Sequence, residues 1–106
     1  MSSLIIKALF PASELLEGEI RKVALPDGRH LALYNLNGAY YATDDQCTHE
    51  KASLAEEGMI DGDQVICGWH LCGFDIATGE AAVSPCSEPL QTYPVRMIDG
   101  ILHVEL

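Results

Sequence analysis

Two fragments constrain this chain more than anything else in it: Cys47-Thr48-His49 and Cys67-Gly68-Trp69-His70, with seventeen residues between them. Each puts a thiol and an imidazole close together, so the fold has to bring two Cys–His loops to one place. The order Cys, His, Cys, His departs from the usual tetrahedral zinc pattern, in which two cysteines precede two histidines. Alternation suits a centre with two metal ions, where each loop must reach both. A [2Fe–2S] cluster with two thiolates on one iron and two imidazoles on the other needs this donor set. Zinc is the serious rival, since imidazole and thiolate both suit it. An all-cysteine cluster fits less well. Cys67 and Cys72 match the first spacing of a Cys-x4-Cys-x2-Cys run, but the next position holds Asp75.

Short strand patterns surround the two fragments. Leu4 to Phe10 reads as a strand, followed by one helical turn over 13–18 with Ser13 as N-cap and Gly18 closing it. Glu19 to Leu25 and Arg29 to Asn35 flank the turn Pro26-Asp27-Gly28, and Asn37-Gly38 leads into Ala39 to Thr43. Gly58 to Ile60 and Gln64 to Ile66 form a hairpin that delivers Cys67. Phe74 to Ile76 enters the turn Ala77-Thr78-Gly79-Glu80, Pro85 to Pro89 is a loop, and Thr92 to Ile98 pairs with Ile101 to Leu106 around Asp99-Gly100. Such spacing predicts an all-β fold, an antiparallel sandwich or barrel. A chain of 106 residues supports one such domain and not two.

Charge narrows the partners. Sixteen acidic against six basic side chains give a formal charge of −10, which excludes phosphate-backbone binding and suits steered docking onto a basic surface. Asp44, Asp45, Glu50, Glu56 and Glu57 gather around the first Cys–His loop and are expected to guide that docking. No apolar run approaches the ~20 residues of a membrane helix, and the first ten residues lack the layout of a secretory signal. A soluble, cytoplasmic, monomeric protein is the expectation. The chain carries no nucleophile–base pair, phosphate loop or dinucleotide fingerprint, so it reads as a carrier and not an enzyme.

With those residues in view, the chain resembles Rieske-type ferredoxins over nearly its whole length. The resemblance lies in the two Cys–His fragments, in Phe74-Asp75-Ile76-Ala77-Thr78-Gly79-Glu80 and in Leu90-Gln91-Thr92-Tyr93-Pro94-Val95. The last two segments are similar to those of ferredoxins serving aromatic-ring-hydroxylating dioxygenases, the naphthalene and biphenyl types among them. It implies the Rieske fold of small antiparallel sheets, with a base from 1–43 and 88–106 and a cluster-binding subdomain from about 44 to 87. It implies one [2Fe–2S] cluster held by Cys47, His49, Cys67 and His70. The implied work is to carry single electrons from a flavin-dependent ferredoxin reductase to a terminal oxygenase, by transient electrostatic docking and without membrane or nucleic acid. The alternatives are a Rieske-like small subunit of a larger oxidoreductase, such as assimilatory nitrite reductase, and a zinc-stabilised interaction module.

Departures from the family pattern carry expectations of their own. Ala52 and Trp69 stand where respiratory and photosynthetic Rieske proteins have a clamping cysteine pair. Gly68 stands where proline is common, and Leu71 where glycine is common. Oxidised, the implied cluster with its four ligands sums to zero charge, so an electron enters more easily than with four thiolates. Cys72 and Phe74 occupy the positions that hold Ser and Tyr hydroxyls in high-potential relatives, which points to a potential near the low end of the Rieske range, ~−150 mV. Cys72, Phe74, Trp69 and Pro85 are thereby candidates for tuning the cluster. Cys72 and Cys86 read as small buried hydrophobes, with a disulfide between them left open. His30 and His103 lack ligand spacing and read as structural or surface residues.

Overall fold

The computed structural model describes residues 5–48, 52–68, 72–83 and 86–106. Its strands are β1 (Ile6–Pro11), β2 (Ile20–Ala24), β3 (His30–Leu36), β4 (Ala39–Asp44), β5 (Gly58–Asp61), β6 (Gln64–Cys67), β7 (Gly73–Asp75), β8 (Ala81–Val83), β9 (Thr92–Tyr93), β10 (Val95–Ile98) and β11 (Ile101–Glu105). A short helix, α1 (Leu54–Glu57), precedes β5. The strands form three sheets, ordered β1-β11-β10, β2-β3-β4-β9 and β5-β6-β7-β8, and every strand pairing is antiparallel. The all-β expectation holds. No described helix is long and apolar enough to cross a membrane.

Strand β3 is the hinge of the architecture because its side chains are buried on both faces. Leu31 and Leu33 enter one core with Phe10, Leu15, Leu25, Leu102 and Val104. Ala32 and Tyr34 enter the other with Leu54, Val65, Phe74, Ile76 and all four cysteines. The near-continuous apolar run from Leu31 to Tyr34 is what a strand covered on both sides requires. The β3–β4 turn places Asn37 (φ 53°) and Gly38 (φ 87°) in the left-handed region together, which a two-residue hairpin of the favoured hand demands.

Three details differ from the sequence expectation. Thr92 to Ile98 is two strands and not one: β9 joins β4 in the central sheet, while β10 joins β11. Pro94 separates them, since it has no N–H for a ladder, and its carbonyl accepts the Glu105 N–H at 3.0 Å. The helical turn expected from Ser13 is a 3-10 turn over Ala12–Glu14 with Pro11 at the N-cap and no side-chain cap. Gly18 (φ 81°) closes a later turn, where its N–H donates to the Asn35 carbonyl at 2.8 Å. Helix α1 was not expected, although Ser53 and Glu56 carry its signature: the Ser53 hydroxyl accepts the Glu56 N–H at 3.2 Å.

Candidate metal centre

Both candidate cysteine ligands sit where a strand ends and a braced loop begins. After β4, Asp45 donates its N–H to the His30 carbonyl at 3.0 Å and accepts the Leu54 N–H on its own carbonyl at 2.8 Å. Its carboxylate accepts the Ala55 N–H at 2.9 Å. Gln46 then bridges to Ser53, and Cys47 donates its N–H to the Ala52 carbonyl at 3.0 Å. The Thr48 hydroxyl donates to the Glu88 carbonyl at 2.8 Å. The first loop is thus fastened at Asp45, Cys47 and Thr48 to three other parts of the chain.

Cys67 closes β6 opposite Gly58 and donates its N–H to the Cys72 carbonyl at 2.7 Å. Next to it, a Cβ on Gly68 would run into the Glu57 carbonyl oxygen. That explains glycine at a position where the family commonly has proline: here the end of α1 occupies the space a ring would need.

Cys72 and Cys86 are joined in a disulfide, with Cα atoms 5.3 Å apart, and the sulfurs of Cys47, Cys72 and Cys86 lie within 4.8 Å of one another. Cys47 and Cys67 stand outside that disulfide and are 1% and 0% exposed in the same core. Among the described residues this leaves two thiols, the number that a cluster with two thiolates and two imidazoles takes. An all-thiolate cluster needs four cysteines, and the disulfide withdraws two of them. His49, Trp69, His70 and Pro85 lie outside the described residues. Cys72 and Phe74, the remaining tuning candidates, share the core with Cys47 and Cys67, and Phe74 is fully buried. A disulfide sulfur has no S–H, so Cys72 offers even less of a donor than a free thiol.

The carboxylates expected to guide docking divide into two groups. Asp45 is 3% exposed and committed to the Ala55 N–H, with Lys22 Nζ at 3.8 Å, so it faces inward and cannot meet a partner. Asp44 is half-buried and accepts the Tyr93 hydroxyl at 2.7 Å, a phenol that in turn accepts Arg29 Nη1 at 3.2 Å. Burial, and then the bond to Asp44, push the Tyr93 phenol above its ordinary range. Glu56 and Glu57 are exposed, and Glu50 lies outside the described residues. Most described cations are already matched: Arg21 with Glu14, Lys22 with Glu56, Arg29 with Asp27 and Arg96 with Glu105, at 2.7 to 3.5 Å. The surplus of negative charge is left for the surface. A recess of about 610 Å³ lined by Lys22, Arg29, His30 and Asp44 reaches down to Cys47 beside the first loop.

Comparison with known proteins agrees with this geometry. The Rieske [2Fe-2S] domain family matches residues 6–94. The ferredoxin component of the p-cumate 2,3-dioxygenase system of Pseudomonas putida is 46% identical over 98 residues, covering 92% of this chain and 83% of that protein. Among solved structures, a chain from the complex of reduced oxygenase and oxidized ferredoxin in carbazole 1,9a-dioxygenase superimposes with a TM-score of 0.89 at 39% identity, covering 94% of this chain and 92% of that one. A putative NADH-dependent nitrite reductase small subunit from Mycobacterium tuberculosis superimposes at 0.87, covering 99% and 97%, but at 20% identity it shares the fold alone.

Proposed function

Because the chain belongs to the Rieske [2Fe-2S] domain family, we propose that Cys47, His49, Cys67 and His70 hold its cluster and that it ferries single electrons within an aromatic-ring-hydroxylating dioxygenase system. The donor is a flavin-dependent ferredoxin reductase and the acceptor a terminal oxygenase. What supports the reading is the identity together with the extent of the likeness: 46% over 83% of the p-cumate ferredoxin component and 39% over 92% of the chain from the carbazole complex, against 22% over 29% of a terminal oxygenase chain.

A [2Fe–2S] cluster held by Cys47, His49, Cys67 and His70 would supply reversible one-electron chemistry. The chain's own residues hold its surroundings still while that happens. Asp45, the Cys47–Ala52 bond and the Thr48–Glu88 bond fix the first loop, and the Cys67–Cys72 bond fixes the second. Ligands carried on braced strand ends keep their geometry better than ligands on free loops. We read residues 44–87 as the cluster-binding subdomain, with the other two sheets as its base. Exposed Glu57, beside the first loop in sequence, is the local part of the acidic surface that meets a basic partner, with neighbouring Glu56 shared with Lys22. The screening length of about 8 Å at physiological salt keeps such steering short-ranged.

The test is a reconstitution followed in the visible range. With NADH and the reductase of an aromatic dioxygenase system, the oxidised chain should bleach, and adding oxidised oxygenase should restore its colour. A chain that stays oxidised with the reductase, or keeps its electron in the presence of the oxygenase, would refute the assignment.

A further inference from the structure

Cys72 and Cys86 belong to neither candidate ligand pair, yet they touch both ligand loops. The Cys72 carbonyl accepts the N–H of Cys67 at 2.7 Å, and Cys86 donates its N–H to Val83 at 3.3 Å. Cys86 opens the segment whose Glu88 carbonyl accepts the Thr48 hydroxyl from the first loop at 2.8 Å. Both sulfurs lie within 4.8 Å of the Cys47 sulfur. The Cα separation of 5.3 Å is ordinary for a disulfide. One covalent bond therefore ties the strand leaving the second loop to the segment fastened onto the first.

We propose that the Cys72–Cys86 pair is a thiol–disulfide clamp on the cluster site: closed, it locks the two ligand loops together, and opened, it lets the cluster escape. The proposal rests on Cys47 and Cys67 being ligands. Closing consumes a low-molecular-weight disulfide. The two cysteines lose two protons and two electrons in forming one S–S bond, and the reagent's S–S bond breaks to give two thiols. Opening needs a dithiol. Its thiolate attacks the Cys86 sulfur, since Cys86 is 8% exposed against 0% for Cys72, and Cys72 leaves as a thiolate that takes a proton. The dithiol's second thiol then displaces Cys86 from the mixed disulfide and closes the reagent's own ring.

Two measurements on the full, cluster-loaded chain test this. The first is peptide mapping after acid quenching and alkylation, without reductant. It should give a Cys72–Cys86 linked peptide, and a brief treatment of the native chain with dithiothreitol should convert it to two alkylated cysteines. The second is the rate at which a strong iron chelator removes the visible absorption. Opening the clamp should quicken that loss by ~10-fold or more, because the loop closed by the bond regains its freedom to open locally. Cys86→Ser should reproduce the fast rate with no reductant present, and the reduced wild-type chain serves if that variant does not fold. Absence of the linked peptide, or equal loss rates with the clamp closed and open, would overturn the proposal. A chain with the linked peptide but no visible cluster absorption would count against the ligand assignment while supporting the disulfide.

Discussion

The carboxylate of Asp45 accepts the backbone N–H of Ala55 at 2.9 Å, and through this bond the first ligand loop is fastened to the helix that precedes the second loop's hairpin. Asp45 is almost fully buried, and replacing it with Ala leaves the part-buried Ala55 N–H without its acceptor. That costs about 1–3 kcal/mol. A fall in Tm on the order of 5–15 °C is expected from calorimetry of the cluster-loaded protein. Asp45→Asn keeps an acceptor and should lose markedly less. Equal losses in the two variants would mean that the bond to Ala55 is not what matters.

The division among the acidic residues makes a second prediction. Glu57→Gln should slow electron delivery to the partner at low salt, and Glu56→Gln should slow it less, since Glu56 already pairs with Lys22 at 3.5 Å. The difference from wild type should vanish as ionic strength rises from ~0.01 to ~0.15 M and the screening length falls from about 30 to 8 Å. Stopped-flow traces across that range report it. A rate indifferent to salt would leave these carboxylates as ordinary solvated charges.

Tyr34 gives a pH prediction. Burial pushes its phenol well above the ordinary tyrosine range, against a smaller opposing effect of the bond to Thr43. The fold favours the neutral phenol, so the stability linked to Tyr34 is fully present below the unfolded pKa and drains away as pH rises past it. Between pH ~10 and ~11, denaturation midpoints should fall for wild type and fall less steeply for Tyr34→Phe. Parallel slopes would show that Tyr34 ionises as freely in the folded chain as in the unfolded one.

Phe74 bears on the potential. It is fully buried in the core that holds Cys47 and Cys67, so Phe74→Tyr places a hydroxyl near the candidate ligands at a modest packing cost. If the reduced cluster gains about 1 kcal/mol more from that donor than the oxidised one, voltammetry should show a rise of about 40 mV. A potential that stays put or falls would mean that the ring edge at Phe74 does not face the cluster sulfurs.

How much of this was legible beforehand follows the range of each interaction. The turns at Asn37-Gly38 and Asp99-Gly100 are local, and they read correctly because their chemistry sits within a few residues. Helix α1 was equally local in Ser53 and Glu56, but the expectation of strands on either side hid it. The split at Pro94 was not readable in the same way. Proline marks a break, yet only the three-dimensional arrangement shows that the chain changes sheets there. Asp45 looked like its acidic neighbours because its partners, Ala55 and Lys22, are distant in sequence. The Cys72–Cys86 bond depended likewise on a separation in space that spacing along the chain does not report.

The central claim is that two cysteines and two histidines hold one [2Fe–2S] cluster. Pulsed EPR of the reduced chain, grown with ¹⁵N-labelled histidine, tests it most directly. Two strongly coupled histidine nitrogens are expected on the reduced cluster. A reduced cluster with no coupled histidine nitrogen, or a metal centre with no EPR signal on reduction, would contradict it.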